Sequence, residues 1–281
     1  MTFPLSLGPK GRPRMVKIEK VRVETPQVKT LFFRDEACGG AEPGQFVMVW
    51  IPRVDEVPMS LSHVGSLEPN GLSAITVRKV GEASEALHRL DAGSFLGVRG
   101  PLGRGFKPVK GRVLLVGGGL GIAPMRPLLS KLKKLGCKAT VVIGATSAGE
   151  MALAQEVEVL LSGWGRLLKA TDDGSLGFKG TASRLAAEIL KKEANYNQLY
   201  ACGPEPMLTE ILALSLKYEI HAQLSLERYV KYGIGICGSC MVGPYRICTD
   251  GPVFASQLLK NLPEFGSHRR DASGRKIPLP S

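Results

Sequence analysis

The chain is poor in histidine, in long apolar runs and in acid. Its four histidines, His63, His88, His221 and His268, are scattered, so no imidazole-based catalytic constellation is written in it. Each reads as an ordinary surface or core residue. No apolar stretch reaches the 18 or so residues needed to cross a bilayer, which argues against a membrane protein. The N-terminus, MTFPLSLGPKGRPRMVKIEK, lacks an apolar core after a basic start. It therefore does not read as a secretory signal, and a cytoplasmic location is expected. Asp and Glu number 25 against 37 Lys and Arg, a net charge of +12. The bases lie in small groups at 10–14, 131–134 and 268–276, not in one run. The patch that nucleic-acid binding requires is missing, and docking of an acidic partner or attraction of anionic cofactors is the better reading. No long internal repeat is present.

The six cysteines are unevenly used. Three of them, Cys237, Cys240 and Cys248, fall within twelve residues of the stretch YVKYGIGICGSCMVGPYRICTDGPVF. If Tyr232 were a cysteine, the run would read C-x4-C-x2-C-x7-C, the plant-type spacing of a 2Fe–2S cluster. A C-x2-C in a cytosolic enzyme points to metal or redox work more than to a disulfide.

The rest divides by pattern. From Val16 to about residue 106, short strands separated by turn signals (VKIEKVRVE, VKTLFFRD, GQFVMVWIP, MSLSHVGSL, LSAITVRKV, FLGVRGPLG) predict a barrel or sandwich. One helix interrupts them, ASEALHRLDAG, with Ser84 as its expected N-cap. From RVLLVGGG onward, strands alternate with amphipathic helices as far as LKYE at 216–219, which predicts a doubly wound parallel sheet. The expected divisions are a mobile basic N-terminus over 1–14, a β-barrel domain over 15–108, an α/β domain over 109–222, a small cysteine-rich module over 223–254 and a C-terminal extension over 255–281. The extension carries one amphipathic piece, ASQLLKNL, before a polar tail.

LLVGGGLGIAPM stands at a strand-to-helix junction, where glycines let backbone approach a phosphate at a helix N-terminus. The third glycine of G-x-G-x-x-G is replaced by Pro124, and no acid closes the next strand, VIGATS. A plain glycine-rich turn is the competing reading. ACGPEPM ends the last strand of the sheet pattern, so Cys202 should face the same crevice, although a buried Cys is more often a small hydrophobe. Asp172 and Asp173 could take ribose hydroxyls or cap a turn.

Taken together, the strand-rich half, GGGLGIAP and CGP resemble the ferredoxin reductase family. SLERYVKYGIGICGSC with RICTDGPVF is similar to the electron-transfer subunits of type B dihydroorotate dehydrogenases, in an archaeal-looking form, and GPLGRGF and TDDGSLGFKG agree. The resemblance spans roughly residues 15–260. It implies FAD in an antiparallel flavin-binding barrel, a nicotinamide dinucleotide in a nucleotide-binding parallel sheet, and a 2Fe–2S cluster in a small C-terminal iron–sulfur-type module. Electrons would pass from NADH or NADPH through FAD and the cluster to the FMN of a separate dihydroorotate dehydrogenase catalytic subunit, in a hetero-oligomer of two-plus-two type. By position, Val57, Pro58, Met59 and Ser60 would hold the flavin. So would Thr76, Val77 and Arg78, with Ala83 and Ser84 at the pyrophosphate. Gly118, Gly119, Gly121 and Pro124 would line the dinucleotide phosphates, and Cys202 would sit at the nicotinamide as the catalytic residue.

Two departures stand out. The family's arginine at the start of the flavin motif is Val57, leaving Arg78 or Arg99 to compensate. Tyr232 occupies the first cluster-cysteine position, with Cys237, Cys240 and Cys248 as the metal ligands. Three outcomes follow: a cluster completed by Tyr232, another side chain or solvent; no cluster; or zinc. Competing functions are the reductase subunit of a hydrogenase or ferredoxin:NADP complex, and a non-catalytic redox sensor or zinc-stabilised binding protein.

Overall fold

The computed structural model describes residues 11–279. Lys10 and most of the expected N-terminal segment lie outside the described residues, and Arg14 already opens the first strand.

Six strands close into an antiparallel barrel: β1 (Arg14–Thr25), β2 (Val28–Phe33), β3 (Phe46–Ile51), β4 (Asp55–His63), β5 (Ser73–Arg78) and β6 (Phe95–Leu102), in the order β1-β2-β5-β4-β3-β6. Closure removes the edges that an open sheet would leave unpaired. Alternate residues point inward, so Ile18, Leu31, Val49, Leu61, Ile75 and Val98 form one core with no exposed surface. Helix α1 (Glu36–Gly39) starts at Asp35, which accepts from Cys38 N–H and binds Arg14 bidentately, tying the helix to the start of β1. Helix α2 (Glu82–His88) is capped by Gly81, not by Ser84. Ser84 sits inside the first turn, and its hydroxyl accepts from the N–H groups of Val80 and Gly81.

The second unit follows the expected alternation: β7 (Arg112–Gly118), α3 (Ile122–Lys134), β8 (Lys138–Ala145), α4 (Ala154–Leu161), β9 (Gly165–Thr171), β10 (Phe178–Lys179), α5 (Ala182–Lys192), β11 (Gln198–Cys202), α6 (Glu205–Lys217) and β12 (Ala222–Ser225). Strand order is β10-β9-β8-β7-β11-β12, all parallel. The chain runs outward from β7 on one side and then returns to its other side. The topological switch therefore lies between β7 and β11, where Gly117 is paired with Cys202. Helix α4 is preceded by a separate 3-10 turn over residues 148–150.

The cysteine-rich stretch has less independence than its sequence suggested. A small hairpin, β13 (Met241–Val242) and β14 (Tyr245–Arg246), leads to β15 (Val253–Ala255), which joins the large sheet antiparallel to β12. Residues 222–225 and 253–255 thus belong to the sheet. Val230, Cys240, Val242, Ile247 and Cys248 share one core with Phe46 and Met48 of the barrel and Leu114 and Leu224 of the sheet. Gly233, at φ +70°, lets the loop lie against the barrel: a side chain there would strike Leu102 and Met48. The C-terminal extension is built rather than a plain tail. Helix α7 (Ser256–Leu259) buries Leu259, and β16 (His268–Arg270) pairs with β17 (Lys276–Pro278). Glu264 anchors this hairpin by accepting from Gly243 N–H and pairing with Lys276 and Arg270. No helix among the described residues is long and apolar enough to cross a membrane.

Barrel and sheet are joined by a charge network. Glu156 of α4 accepts from His63 Nε2 (2.9 Å) and from Arg126 Nε (2.8 Å), and also binds Arg22. Arg126, only 4% exposed, binds Glu68 of the barrel with both terminal nitrogens. Burial pushes the Glu156 carboxyl up, but the bond from His63 and the guanidiniums of Arg126 and Arg22 outweigh it and hold it well below the usual carboxylate range. Burial holds His63 neutral, with its pKa below the ordinary imidazole value.

Candidate functional site

A cleft of about 890 Å³ runs between the barrel and the carboxyl ends of the sheet strands. Its barrel wall carries Pro58, Met59 and Ser60 from β4 and Thr76 and Arg78 from β5; its sheet wall carries Gly118, Gly119, Gly121 and Pro124. Cys202 lies at the junction, and the floor continues through Ser225, Val230 and Ile247 into the cysteine-rich stretch. One cavity therefore touches all three parts of the chain, at the place where open α/β sheets bind ligands.

Four expected contacts are absent from this lining. Val77 is inside the barrel core at 1% exposure, because neighbours on a strand face opposite ways. Val57 and Ala83 pack against the same core. Ser84 spends its hydroxyl on the start of α2, donating to Gly81 O as well as accepting there, and it is not part of the cleft lining. Arg99 cannot replace the missing arginine at Val57. It is 7% exposed and held bidentately by Glu56 at 2.7 and 2.9 Å. Arg78 is placed to do so: it lines the cleft, paired with Glu150 at 3.1 Å.

The glycine turn is shaped for a phosphate-bearing ligand. Gly119 has φ +56°, and a Cβ there would meet only the Arg78 guanidinium, at 3.8 Å; the space between them is open. Gly121 serves close packing instead, since a Cβ would overlap the Cys202 carbonyl. Helix α3 begins at Ile122, so its free N–H groups lie just behind this turn. Arg228 adds a second fit. Its guanidinium is buried against Glu205, but its Nε has no partner among the described residues, in a side chain that lines the cleft. A bound cofactor's acceptor atom would satisfy such an orphan.

Burial is the main reason that the Cys202 thiol is pushed up to about 12, opposed by a hydrogen bond with Ser225. It is a neutral thiol at physiological pH, suited to packing beside a flat ring and not to proton transfer. Asp172 lines the cleft, whereas Asp173 bonds Ser175 within its own turn at 2.6 and 2.9 Å. Glu150, Ser225 and Arg228 are among the lining residues that sequence reasoning did not single out. Ser225 had a signal: it ends a parallel strand, and strand ends face the crevice. Glu150 and Arg228 arrive from turns whose course only the folded chain defines.

In the cysteine-rich loop, Cys240 and Cys248 are buried and hydrogen bonded to each other. That interaction pulls Cys240 below the ordinary thiol range and pushes Cys248 above it. Cys237 is exposed; the hydroxyl and N–H of Ser239 and the N–H of Tyr232 lower its pKa against a burial effect that would raise it. Thiols held this way, with backbone N–H groups aimed at sulfur, suit an iron–sulfur centre. Tyr232 itself is 44% exposed.

Comparison with known proteins agrees with this geometry. The family described as the iron-sulfur cluster binding domain of dihydroorotate dehydrogenase B matches residues 227–260, and the oxidoreductase NAD-binding domain matches residues 115–212. The chain is 39% identical over 268 residues to the probable dihydroorotate dehydrogenase B (NAD(+)), electron transfer subunit, of Methanothermobacter thermautotrophicus, covering 95% of this chain and 97% of that one. It is 42% identical over 270 residues to the protein of the same description from Methanocella arvoryzae, covering 94% and 98%. Among solved structures, it superposes on a chain of the NADH-dependent reduced ferredoxin-NADP oxidoreductase with a TM-score of 0.76 and 28% identity, covering 88% of this chain and 90% of that one. The ferredoxin reductase of carbazole 1,9a-dioxygenase, at 18% identity and TM-score 0.64, covers 74% and 66% and shares the fold.

Proposed function

This chain belongs to the family of dihydroorotate dehydrogenase B electron transfer subunits, and we propose that it takes hydride from NADH at the cleft and passes electrons on to the FMN of a partner catalytic subunit, in pyrimidine biosynthesis. The carrying observation is the single cavity that reaches the barrel, the glycine turn with Cys202, and the cysteine-rich loop.

When bound, FAD would supply two-electron acceptance of one hydride from the nicotinamide and one-electron release, and a 2Fe–2S centre one-electron transfer; the protein's task is orientation. Residues 58–60 and Thr76 offer the flavin a flat, partly polar wall. Arg78 would leave Glu150 for a phosphate, exchanging one charge-assisted bond for another. The turn at Gly119 brings backbone N–H groups to the dinucleotide. Cys202, held by Ser225, fixes the depth to which the nicotinamide enters. Ile247 and Val230 line the cleft and share an apolar core with Cys240 and Cys248, which would keep water from the exit path.

Anaerobically purified protein should contain flavin, iron and acid-labile sulfide, and NADH should bleach its flavin absorbance. Colourless protein that leaves NADH unoxidised in the presence of an artificial acceptor would reject the reading. The likeness to the ferredoxin-NADP oxidoreductase favours a second reading, a reductase subunit serving another redox complex. Co-purification separates the two: a subunit that oxidises dihydroorotate supports the first.

A further inference from the structure

A stripe of hydroxyl groups crosses the barrel face that the sheet unit covers. Ser62 of β4, Thr76 of β5 and Thr30 of β2 are buried side by side, Thr30 directly opposite Thr76 in the strand pairing. Thr76 Oγ1 is 2.8 Å from Ser62 Oγ and 3.0 Å from Thr30 Oγ1. Of the three, Thr76 alone lines the cleft, beside Ser60: the pairing of Leu61 with Ile75 sets those two residues next to each other.

Three hydroxyls carry three protons, and the acceptors around them are more numerous. At one end, Thr30 Oγ1 donates to the Glu24 carboxylate at 2.6 Å, which Arg22 also holds. At the other end, the Glu156 carboxylate can only accept. His63 therefore gives it the Nε2 proton, at 2.9 Å, and keeps Nδ1 as an acceptor. The Ser62 proton goes to that Nδ1, at 3.1 Å, or to the Ala74 carbonyl, at 3.2 Å. The Thr76 proton is left with two buried oxygens to serve, Ser62 Oγ and Thr30 Oγ1. Turning it toward the cleft would leave both without a hydroxyl donor, and buried polar groups resist that. The Thr76 oxygen thus meets the cleft with free lone pairs and no proton to give.

We propose that Thr76 is a hydrogen-bond acceptor at the flavin wall, binding the imide N–H of the isoalloxazine ring, and that Ser62 and Thr30 are positioning residues that fix this polarity. The oxidised ring has that N–H as its single donor among several acceptors, so a group that only accepts selects that edge. Thr76 also stands by the flat part of the wall at Pro58 and Met59. Arg78, two residues further along β5, instead faces the open space at Gly119, where a phosphate fits. This inference rests on the reading that the barrel binds FAD.

The test uses the full chain loaded with FAD and follows the alkaline spectral transition of the bound flavin, which reports loss of the imide proton. An acceptor at Thr76 stabilises the protonated imide, whereas a donor there would stabilise the anion. The sign of the shift therefore reads the polarity. Thr76→Val should lower the transition by about one pH unit, a tenfold change in the ionisation constant, and weaken FAD binding about tenfold. Thr76→Ser should restore both. Ser62→Ala combined with Thr30→Val keeps Thr76 but frees its proton, and should lower the transition as well. Arg78 and Glu150 are present in every one of these chains, so their fields cancel from the comparison. If thermal unfolding shows that the double variant does not fold, the two Thr76 variants still decide the polarity. A transition that rises or stays in place in Thr76→Val, or that is unchanged in a folded double variant, overturns the proposal and leaves the flavin reading intact. Wild type that takes up no FAD overturns both.

Discussion

Replacing Glu156 by Gln keeps the shape of the side chain and removes the charge at the centre of the barrel–sheet junction. Glu156 accepts from His63, from Arg126 Nε at 2.8 Å and from Arg22, and Arg126 Nη2 lies 2.7 Å from the same carboxylate as an ion pair. Each hydrogen bond to a charged group is worth about 1.5–3 kcal/mol, but the sum overstates the loss. Arg126 keeps Glu68, Arg22 keeps Glu24, and Arg22 is 32% exposed, so water screens its share. We expect a cost of about 2 kcal/mol. At about 2–4 °C per kcal/mol in chains of roughly this size, Tm should fall by about 4–8 °C. The pH dependence is the sharper test. Glu156 has a depressed folded pKa, so its stabilisation is fully present above the unfolded value of about 4.3 and is lost as pH falls through the folded value. The gap between wild type and variant should be constant near neutrality and close as pH drops below about 4.3. His63 adds a separate slope to the wild type: the folded chain resists its protonation, so stability declines as pH falls from about 6.5. Thermal unfolding followed by tryptophan fluorescence across this range measures both. A variant within about 0.5 kcal/mol of wild type at pH 7, the range of ordinary surface changes, would refute the network as a structural joint.

Three further outcomes are expected. Cys202→Ala should slow NADH oxidation with an artificial acceptor by about tenfold, or about 1.4 kcal/mol, without changing flavin content. Because its thiol is pushed up to about 12, the wild-type rate should show no Cys202 inflection between about pH 6 and 10, and an inflection lost in the variant would contradict this. Gly121→Ala forces a Cβ onto the Cys202 carbonyl and should cost about 1–3 kcal/mol, raising KM for NADH; an unchanged KM and Tm would show the approach to be loose. Glu150 and Asp172 line the cleft, and its two arginines are already engaged, Arg78 by Glu150 and Arg228 by Glu205. The extra phosphate of NADPH should therefore be disfavoured by about 100-fold in kcat/KM, or about 2.7 kcal/mol, and Glu150→Gln should narrow the ratio. Equal wild-type values for the two nucleotides would defeat that argument.

The two-unit architecture was legible because periodicity reports which face of an element is buried. The change from alternating apolar residues near 16–100 to strand–helix alternation after Arg112 needs no tertiary information. The same holds for the crevice at Gly119 and Cys202, since both follow parallel strands. The extension at 255–279 was less legible. Its order rests on Glu264 and Glu205 collecting N–H groups and cations from distant segments, which no local pattern announces. Val77 and Ser84 show the limit of motif transfer. Both sit in the expected motifs, yet one points inward by strand alternation and the other spends its hydroxyl on its own helix.

By itself the sequence determined the barrel, the parallel sheet, the glycine-rich strand-to-helix turn and the odd residue at 232, because each depends on neighbours a few positions apart. Tertiary structure alone decided which arginine faces the cleft. Arg99 and Arg78 are equally cationic on paper, and only the fold gives the first to Glu56 in a buried pair and leaves the second at the cavity. It also decided that the cysteine loop shares a core with both larger units, because burial of Met48, Leu114 and Cys248 in one cluster requires chain segments some two hundred residues apart to meet.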